Sequence, residues 1–213
     1  MRNLLLLTIA FFLGSISAFA QIDKGQIMLG INLGYTADKM EQPGPSSTTN
    51  EETLNTFIIN PQIGFGLGNG LIAGVGVGYS SATYTDKTSS GGTSSEFEQK
   101  ETMFSVDAFL RKFAKVSETF GVFGQLGVAY GTGEQETTPP IGSSSKDDLS
   151  MMSVGISPGL YLKPSSRFII EATFGRLGYT SEKLETAGGT EIKSSQFQFA
   201  LMNNLSFGVK FIL

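Results

Sequence analysis

The sequence predicts an all-β fold, an eight-stranded antiparallel up-and-down transmembrane β-barrel that follows a cleaved signal peptide. Three observations predict it: an export signal, eight stretches of alternating apolar and small or polar residues, and connections that are alternately long and short. Alternation with a period of two is typical of strands with one apolar face. A strand that crosses a bilayer at a tilt needs about nine to eleven residues, and most of these stretches are that long.

The first twenty residues have the pattern of a secretory signal peptide. Arg2 supplies a positive start, residues 4–13 an apolar core, and Ala18-Phe19-Ala20 a cleavage site of small residues. The apolar run is too short for a transmembrane anchor, which needs about twenty residues. The chain has no cysteine, so it has neither a lipoprotein attachment site nor a disulfide framework. We therefore expect a signal peptide at residues 1–20 and one barrel domain at residues 21–213.

The alternation is clearest in the C-terminal stretch from Ser195 to Leu213. Apolar side chains there, from Phe197 to Phe211, are separated by glutamine, asparagine, serine, glycine and lysine. One face is thus suited to lipid and the other to a polar interior. The seven other predicted strands are residues 26–37, 56–67, 71–84, 102–110, 120–131, 152–162 and 168–175.

The connections predict how the strands are arranged. Long polar loops are expected at residues 38–53, 85–99, 132–148 and 180–194, and short turns at residues 68–70, 112–118 and 163–166. Antiparallel strands joined in this way have all long loops at one end and all short turns, with both termini, at the other. The barrel must close because an unpaired sheet edge in hydrocarbon costs several kcal/mol for each unsatisfied group, on the order of a lost hydrogen bond in an apolar solvent.

Aromatic residues on the apolar faces fall near both ends of the strands. Such residues form girdles at the two membrane interfaces of a barrel. The girdle at the long-loop end is predicted to contain Tyr35, Phe57, Tyr79, Phe104, Tyr130, Phe174 and Phe197. The girdle at the short-turn end is predicted to contain Phe65, Phe120, Phe168, Phe207 and Phe211.

Taken together, the export signal, eight strands, loop asymmetry and aromatic closing strand resemble the small OmpA/OmpX-type bacterial outer-membrane barrels, including their OmpW-like members. The resemblance covers the whole mature chain. It implies residence in the outer membrane with both termini in the periplasm, and contact with outer-membrane lipid and lipopolysaccharide. It also implies recognition of the closing strand by the barrel-assembly machinery. The last residue in that family is most often Phe, so Phe211 carries the aromatic part of the signal in place of Leu213.

Four charged residues lie on the polar faces of the predicted strands. Asp107 and Arg111 belong to the fourth strand, Glu171 to the seventh and Lys210 to the eighth. Charges enclosed in a narrow barrel need partners. We therefore predict an interior polar network of these four residues, in which Glu171 and Lys210 pair because they lie at similar depth on adjacent strands.

The residue inventory argues against catalysis. The chain has no histidine and no cysteine, which excludes zinc sites and catalysis by Ser/His or Cys/His pairs. The glycine-rich runs at residues 64–68 and 74–78 alternate inside strands with no helix after them, so they lack the context of a nucleotide-binding loop. Their small side chains instead leave room for larger inward ones. We expect no enzyme activity and no cofactor.

Charge is distributed unevenly along the predicted barrel. The four long loops contain fourteen acidic residues and five lysines, while the short-turn end carries mostly lysine and arginine. An acidic rim repels nucleic acid. It could hold divalent cations that bridge to lipopolysaccharide phosphates, or be a solvated surface without a ligand.

Three functions are compatible with these patterns. The first is a non-enzymatic outer-membrane barrel that supports envelope integrity and whose long acidic surface loops engage an unknown partner. The second, implied by the OmpW-like resemblance, is passage of small hydrophobic compounds through the outer membrane. The third is a soluble lipocalin-like carrier with the apolar set turned inward, which would require a charged outer face for solubility.

Overall fold

The structure is a computed structural model that describes residues 22–44 and 48–213, with only the backbone of residues 200–204. Eight antiparallel strands form one closed barrel in the order of the chain, which confirms the predicted fold class. The strands are β1 (Ile27–Pro43), β2 (Thr49–Gly68), β3 (Leu71–Ser90), β4 (Thr93–Lys115), β5 (Phe120–Thr138), β6 (Ser145–Ser165), β7 (Phe168–Glu185) and β8 (Glu191–Ile212). The proposed signal peptide lies outside the described residues and stays a prediction.

The predicted long loops are wrong as loops, because most of their residues extend the strands. The connections at that end shrink to residues 44–48, 91–92, 139–144 and 186–190. Both faces of these extensions meet water, so the apolar alternation that marks the membrane-spanning part disappears from the sequence. Serine and threonine nevertheless sustain an antiparallel ladder. The tightest of these four connections is Gly91-Gly92, where both residues have positive φ angles, as a two-residue hairpin of the primed type requires.

Side-chain directions follow the predicted alternation. Leu33, Val75 and Val106 are exposed on the outer wall, while Arg111, Glu171 and Lys210 are buried inside. The apolar set therefore faces outward, toward lipid, and the lipocalin-like carrier hypothesis is wrong. Among the described residues, no helix has the length and apolarity needed to span a membrane.

The ladder between β2 and β3 is interrupted at Pro61. Rungs continue on either side, with Ile59 opposite Tyr79 and Gln62 opposite Gly76. Proline has no N–H, so it cannot supply the ladder bond to the carbonyl of Val77, which lies opposite in the same register. The side chain of Asn60 takes over this role: its Nδ2 donates to the Val77 carbonyl at 3.1 Å.

Two other irregularities concern β8. Residues 201–204 of β8 stand opposite only Gly175 of β7, because Leu205 pairs with Phe174 and Ala200 with Arg176. The seam between β1 and β8 is short, running only from Met28 opposite Ile212 to Leu33 opposite Phe207. Above Leu33 the two strands continue without pairing to each other. The barrel is thus closed at the short-turn end and open along one seam at the other end.

We expect arginine on the lipid-facing wall to destabilise the folded barrel. Val75→Arg and Val154→Arg, at exposed mid-strand positions, should each cost roughly 2 to 4 kcal/mol in refolding titrations with lipid vesicles. Leu201, the third position predicted to face lipid, lies among the residues whose side chains are not described.

Gly127→Ser provides the control on the inner wall. An added Cβ at Gly127 meets nothing closer than 3.8 Å, so this variant should fold with nearly unchanged stability. If both arginine variants were as stable as the wild type, the assignment of the two faces would be refuted.

Candidate functional site

The most elaborate arrangement of polar groups lies inside the lower half of the barrel and is centred on Arg111 of β4, which is only 1% exposed. Its Nη1 donates to Oε2 of Glu171 at 2.7 Å, and its Nε donates to Oε1 of Gln125 at 2.8 Å. Its Nη2 also donates to Gln125 and, at 3.5 Å, to Oε1 of Gln62. A buried guanidinium with this many acceptors is held in one orientation.

The second cation of the site is Lys210 of β8, which is 0% exposed. Its Nζ lies 3.2 Å from Oε1 of Glu171 and donates to Oδ1 of Asn32 at 2.6 Å and to Oε1 of Gln62 at 3.3 Å. The ammonium thus has two hydrogen-bond acceptors and one ion-paired carboxylate oxygen around it. Glu171, 2% exposed, bridges the two cations with one carboxylate oxygen each.

Asp107 joins the site through two asparagines rather than by direct contact with a cation. Nδ2 of Asn60 donates to Oδ1 of Asp107 at 2.7 Å, and Nδ2 of Asn32 donates to Oδ1 of Asn60 at 3.3 Å. Asn32 in turn accepts from Lys210. The four charged residues, two of each sign, therefore belong to one connected network with no net charge. We call these residues and their four amide partners the lumen network.

Apolar side chains fill the space around and below this network. Three rings surround the guanidinium of Arg111: those of Phe123, Phe109 and Phe113, whose centroids lie 4.8, 5.4 and 5.7 Å from its Cζ. Such cation–π contacts stabilise a guanidinium that is buried away from solvent. The buried apolar cluster, called the floor below, consists of Ile22, Met28, Ile72, Phe109, Phe113, Phe123, Tyr161, Ile169 and Ile212.

Glycines on neighbouring strands provide the space for the large inward side chains. A Cβ at Gly30 would lie 2.0 Å from the side chain of Lys210, and one at Gly208 would lie 2.8 Å from that of Glu171. The same relation pairs Gly74 with Phe109, Gly76 with Asp107, Gly159 with Phe123 and Gly121 with Tyr161. These six inward glycines are therefore needed because side chains from the next strand occupy the position of their missing Cβ.

The upper half of the lumen is lined differently. Small residues dominate, and Arg176 lies across Gly155 and Gly178, whose added Cβ atoms would each lie 2.9 Å from its Nε. Higher still, the strand register turns six carboxylates toward the mouth: Asp38, Glu52, Asp86, Glu101, Asp147 and Glu182. No group of acidic residues suited to a metal ion occurs in the described part of the chain.

Five lysines of the hairpin extensions point to the outer wall and form ion pairs there. Lys39 lies 3.0 Å from Glu51, Lys87 3.8 Å from Glu96, and Lys146 3.6 Å from Glu134. Lys183 and Lys193 both contact Glu191, at 2.5 and 3.2 Å. Hydrogen bonds from these two lysines lower the pKa of Glu191. The extensions are therefore tied together outside and remain acidic inside.

The structure brings all four residues of the predicted interior network into one connected system, although only Glu171 contacts both cations directly. The amides Asn32, Asn60, Gln62 and Gln125 were not assigned to it from the sequence. The alternation in the sequence places these amides on the inner face, but which groups meet across the barrel depends on the register of the six strands that carry the network. Phe113 and Phe123 were missed as neighbours of Arg111 for the same reason.

The predicted girdle residues lie on the outer wall at different heights. Tyr35, Phe57, Phe104 and Tyr130 are well exposed there, and the Tyr79 and Phe104 rings pack with centroids 5.1 Å apart. At the short-turn end, Phe168 faces Phe211 across a rung, Phe65 faces Ile27, and Phe120 faces Leu162. Phe174 lies five residues before Tyr179, which faces Phe197. Phe174 therefore lies closer to the middle of the wall than the residues of the upper girdle do.

An apolar outer wall, a closed antiparallel ladder and a polar, side-chain-filled lumen define a transmembrane β-barrel. Residues 6–204 match the family model described as outer membrane protein beta-barrel domain. The chain belongs to this family and is an outer-membrane β-barrel protein. A search of curated protein sequences finds no significant match.

Several solved barrels are similar to this chain in fold. OprG from Pseudomonas aeruginosa, an outer membrane protein, is 12% identical with a TM-score of 0.50, covering 91% of this chain and 99% of its own. Neisserial surface protein A (NspA) is 13% identical with a TM-score of 0.45, covering 88% and 99%. Ail of Yersinia pestis, the attachment invasion locus protein, is 16% identical with a TM-score of 0.41, covering 89% and 99%. At these identities the likeness concerns the fold alone.

We expect Glu171 and Lys210 to be energetically coupled. Glu171→Gln or Lys210→Met alone should cost about 3 to 5 kcal/mol, because each strands a buried partner charge, whereas the double variant should lose much less than the sum. Urea unfolding of the barrel in lipid vesicles measures these losses. Strictly additive losses would show that the two residues are not coupled.

We also expect that the space beside Gly159, which the Phe123 ring occupies, has no room for an added methyl group. Gly159→Ala places a methyl group 2.2 Å from the Phe123 ring and 2.8 Å from a backbone carbonyl, so overpacking should destabilise the barrel by roughly 1 to 3 kcal/mol. Gly127→Ala is the matched control, since its Cβ makes only ordinary van der Waals contacts at 3.8 Å. Equal stability of the two variants would contradict the conclusion that Gly159 is needed to accommodate Phe123.

Proposed function

We propose that this outer-membrane barrel is a non-enzymatic structural protein that supports envelope integrity. The observation that carries the proposal is the filling of the lower lumen: the lumen network and the floor leave Arg111, Glu171 and Lys210 no more than 2% exposed. Eight strands enclose an interior just wide enough for side chains to fill. A barrel whose lumen is filled and spanned by hydrogen bonds and ion pairs is a rigid membrane protein rather than an open channel.

The surroundings of the barrel follow from its outer wall. The two aromatic girdles mark the proposed membrane boundaries, the upper one including Tyr35 and Tyr130 and the lower one Phe65 and Phe211. The termini are on the periplasmic side after export. Outer-membrane lipid would cover the wall between the girdles, and lipopolysaccharide the zone just above the upper girdle. The barrel-assembly machinery would read the closing strand, in which Leu213 exchanges two backbone hydrogen bonds with Ile27.

The hairpin extensions are the proposed site for a surface partner. They present paired charges outside, such as Lys39 with Glu51, and carboxylates at the mouth. This acidic mouth repels polyanions, so nucleic acid is not proposed as a partner. A ladder-bonded hairpin also keeps a more fixed shape for recognition than the long polar loops that the sequence predicted.

The role in envelope integrity is tested in cells that lack the gene. Loss of the protein should increase sensitivity to detergent and to large antibiotics, and the wild type should restore resistance. A variant with the plug weakened, Arg111→Met, should restore it incompletely at equal abundance in the membrane. Unchanged sensitivity on deletion would count against this role.

Purified mature protein should conduct little current in planar bilayers, because the filled lower lumen blocks the axial path. Brief, small openings are compatible with this expectation, and the triple variant Arg111→Ala, Glu171→Ala, Lys210→Ala should increase them. A large, steady, weakly selective current from the wild type would refute the plugged-barrel proposal.

A second candidate function is passage of small hydrophobic compounds, favoured by the interrupted wall at Pro61. A shallow, open hollow of about 290 Å³ lies at this point of the wall. It is lined by Pro61, Gln62, Ile63, Val75, Gly76 and Val77. Because the ladder is missing two rungs at this point, the wall between β2 and β3 offers a place for lateral exchange between lumen and lipid.

Uptake into liposomes tests this second function. Pro61→Val, which restores the N–H opposite the carbonyl of Val77, should slow the entry of a small apolar fluorescent compound. Asn60→Ala, which removes the substitute hydrogen bond, should accelerate it. Identical uptake by protein-free vesicles, wild type and both variants would exclude lateral passage.

A further inference from the structure

The upper seam of the barrel leaves two strand edges without partners. β1 pairs with β8 only as far as Leu33 opposite Phe207, yet β1 continues to Pro43 and β8 starts at Glu191. No backbone hydrogen bond joins these upper segments to any other described residue beyond their bonds to β2 and β7. All other neighbouring strands pair far along the extensions, for example Thr49 of β2 with Ser89 of β3. The seam is the one open line in the described wall.

The direction of the free backbone groups on β1 can be read from its first rung. Ile27 exchanges both of its hydrogen bonds with Leu213, at 3.2 and 2.8 Å. In an antiparallel ladder every second residue points to the same neighbour. Tyr35, Ala37, Lys39 and Glu41 therefore direct their N–H and C=O groups into the open seam. A row of unpaired groups of this kind is a template for another strand.

The side chains beside the seam are also uncovered. Phe197 of β8 is 70% exposed, Phe199 is 69% exposed, and Tyr35 of β1 is 69% exposed. These are the most exposed aromatic residues of the described part of the chain. A partner that completes the ladder would cover these rings as well as the backbone.

We propose that the upper seam is the interface for a second copy of this chain, with β1 of each copy paired to β8 of the other. The direction of the strands favours this pairing. In one membrane both copies have the same orientation, so two β1 edges related by an axis along the membrane normal run parallel to each other. The β1 edge of one copy and the β8 edge of its neighbour run antiparallel, as they do in the lower seam.

This arrangement continues an existing interface instead of creating a new one. In the lower seam, Leu33 and Phe207 face each other with both side chains on the outer wall, so the same strand pairing keeps inner and outer faces in register. A two-fold axis forms the contact twice and leaves no edge open. The inference goes beyond the proposed structural function, which holds for a monomer as well.

The chain contains no cysteine, which permits a clean cross-linking test in lipid vesicles. Chains with Glu41→Cys are mixed with chains carrying Ser195→Cys, Phe197→Cys or Phe199→Cys and then oxidised. We expect a disulfide-linked band at twice the monomer mass for at least one mixture. Glu41→Cys mixed with Glu134→Cys, on β5 at the far side of the barrel, is the control and should give none.

Two outcomes of this experiment overturn the proposal. One is the absence of linked dimer in all three seam mixtures. The other is a disulfide confined to one chain when Glu41→Cys and Phe199→Cys are placed together, because the seam then closes by itself and accepts no second copy.

A proline variant tests the backbone contact separately. Ala37→Pro removes an N–H that points into the seam and spares the bonds from β1 to β2, so the barrel should still fold and shift on unheated gels. Its dimer should be lost, whereas Ala37→Val, which keeps the N–H, should retain the dimer. A dimer that survives in the folded proline variant would show that strand pairing does not hold the copies together.

Discussion

Hydrogen bonding of the backbone inside hydrocarbon is the constraint on which this structure depends. Every backbone N–H and C=O between the two aromatic girdles needs a partner within the protein, since lipid offers none. Closure of eight strands satisfies this requirement almost everywhere. Where Pro61 removes a donor, the side chain of Asn60 supplies one to Val77, and the same amide also reaches Asp107. Asn60 thus both completes the hydrogen bonding of the wall and belongs to the lumen network.

Closure with eight strands creates a narrow lumen, and the lumen then dictates which residues can occupy it. Large inward groups require a glycine on the adjacent strand, as Lys210 does at Gly30 and Phe123 at Gly159. Charged groups require partners, which they find across the barrel: Arg111 of β4 reaches Glu171 of β7. Packing and charge pairing therefore plug the same half, and the upper half keeps small side chains and an acidic mouth.

The hairpin extensions could not be recognised as strands from the sequence pattern. Their sequences are rich in serine, threonine, glycine and proline, which favours loops, yet they continue the strands. Outside the membrane neither face is apolar, so period-two alternation carries no information there. Cross-strand ion pairs such as Lys39 with Glu51 contribute little individually. The ladder that starts in the membrane continues because each added rung satisfies two more backbone groups.

The sequence by itself determined the strand number, the inner and outer faces and the inward position of Asp107, Arg111, Glu171 and Lys210, because a period of two assigns each residue to one face. Only the tertiary structure decided which inward groups meet, since contacts across a barrel depend on the register of all strands between them. Asn60, Gln62 and Gln125 entered the network in this way. The end of the β1/β8 ladder at Leu33 opposite Phe207 is likewise a matter of pairing between distant segments, which no local pattern records.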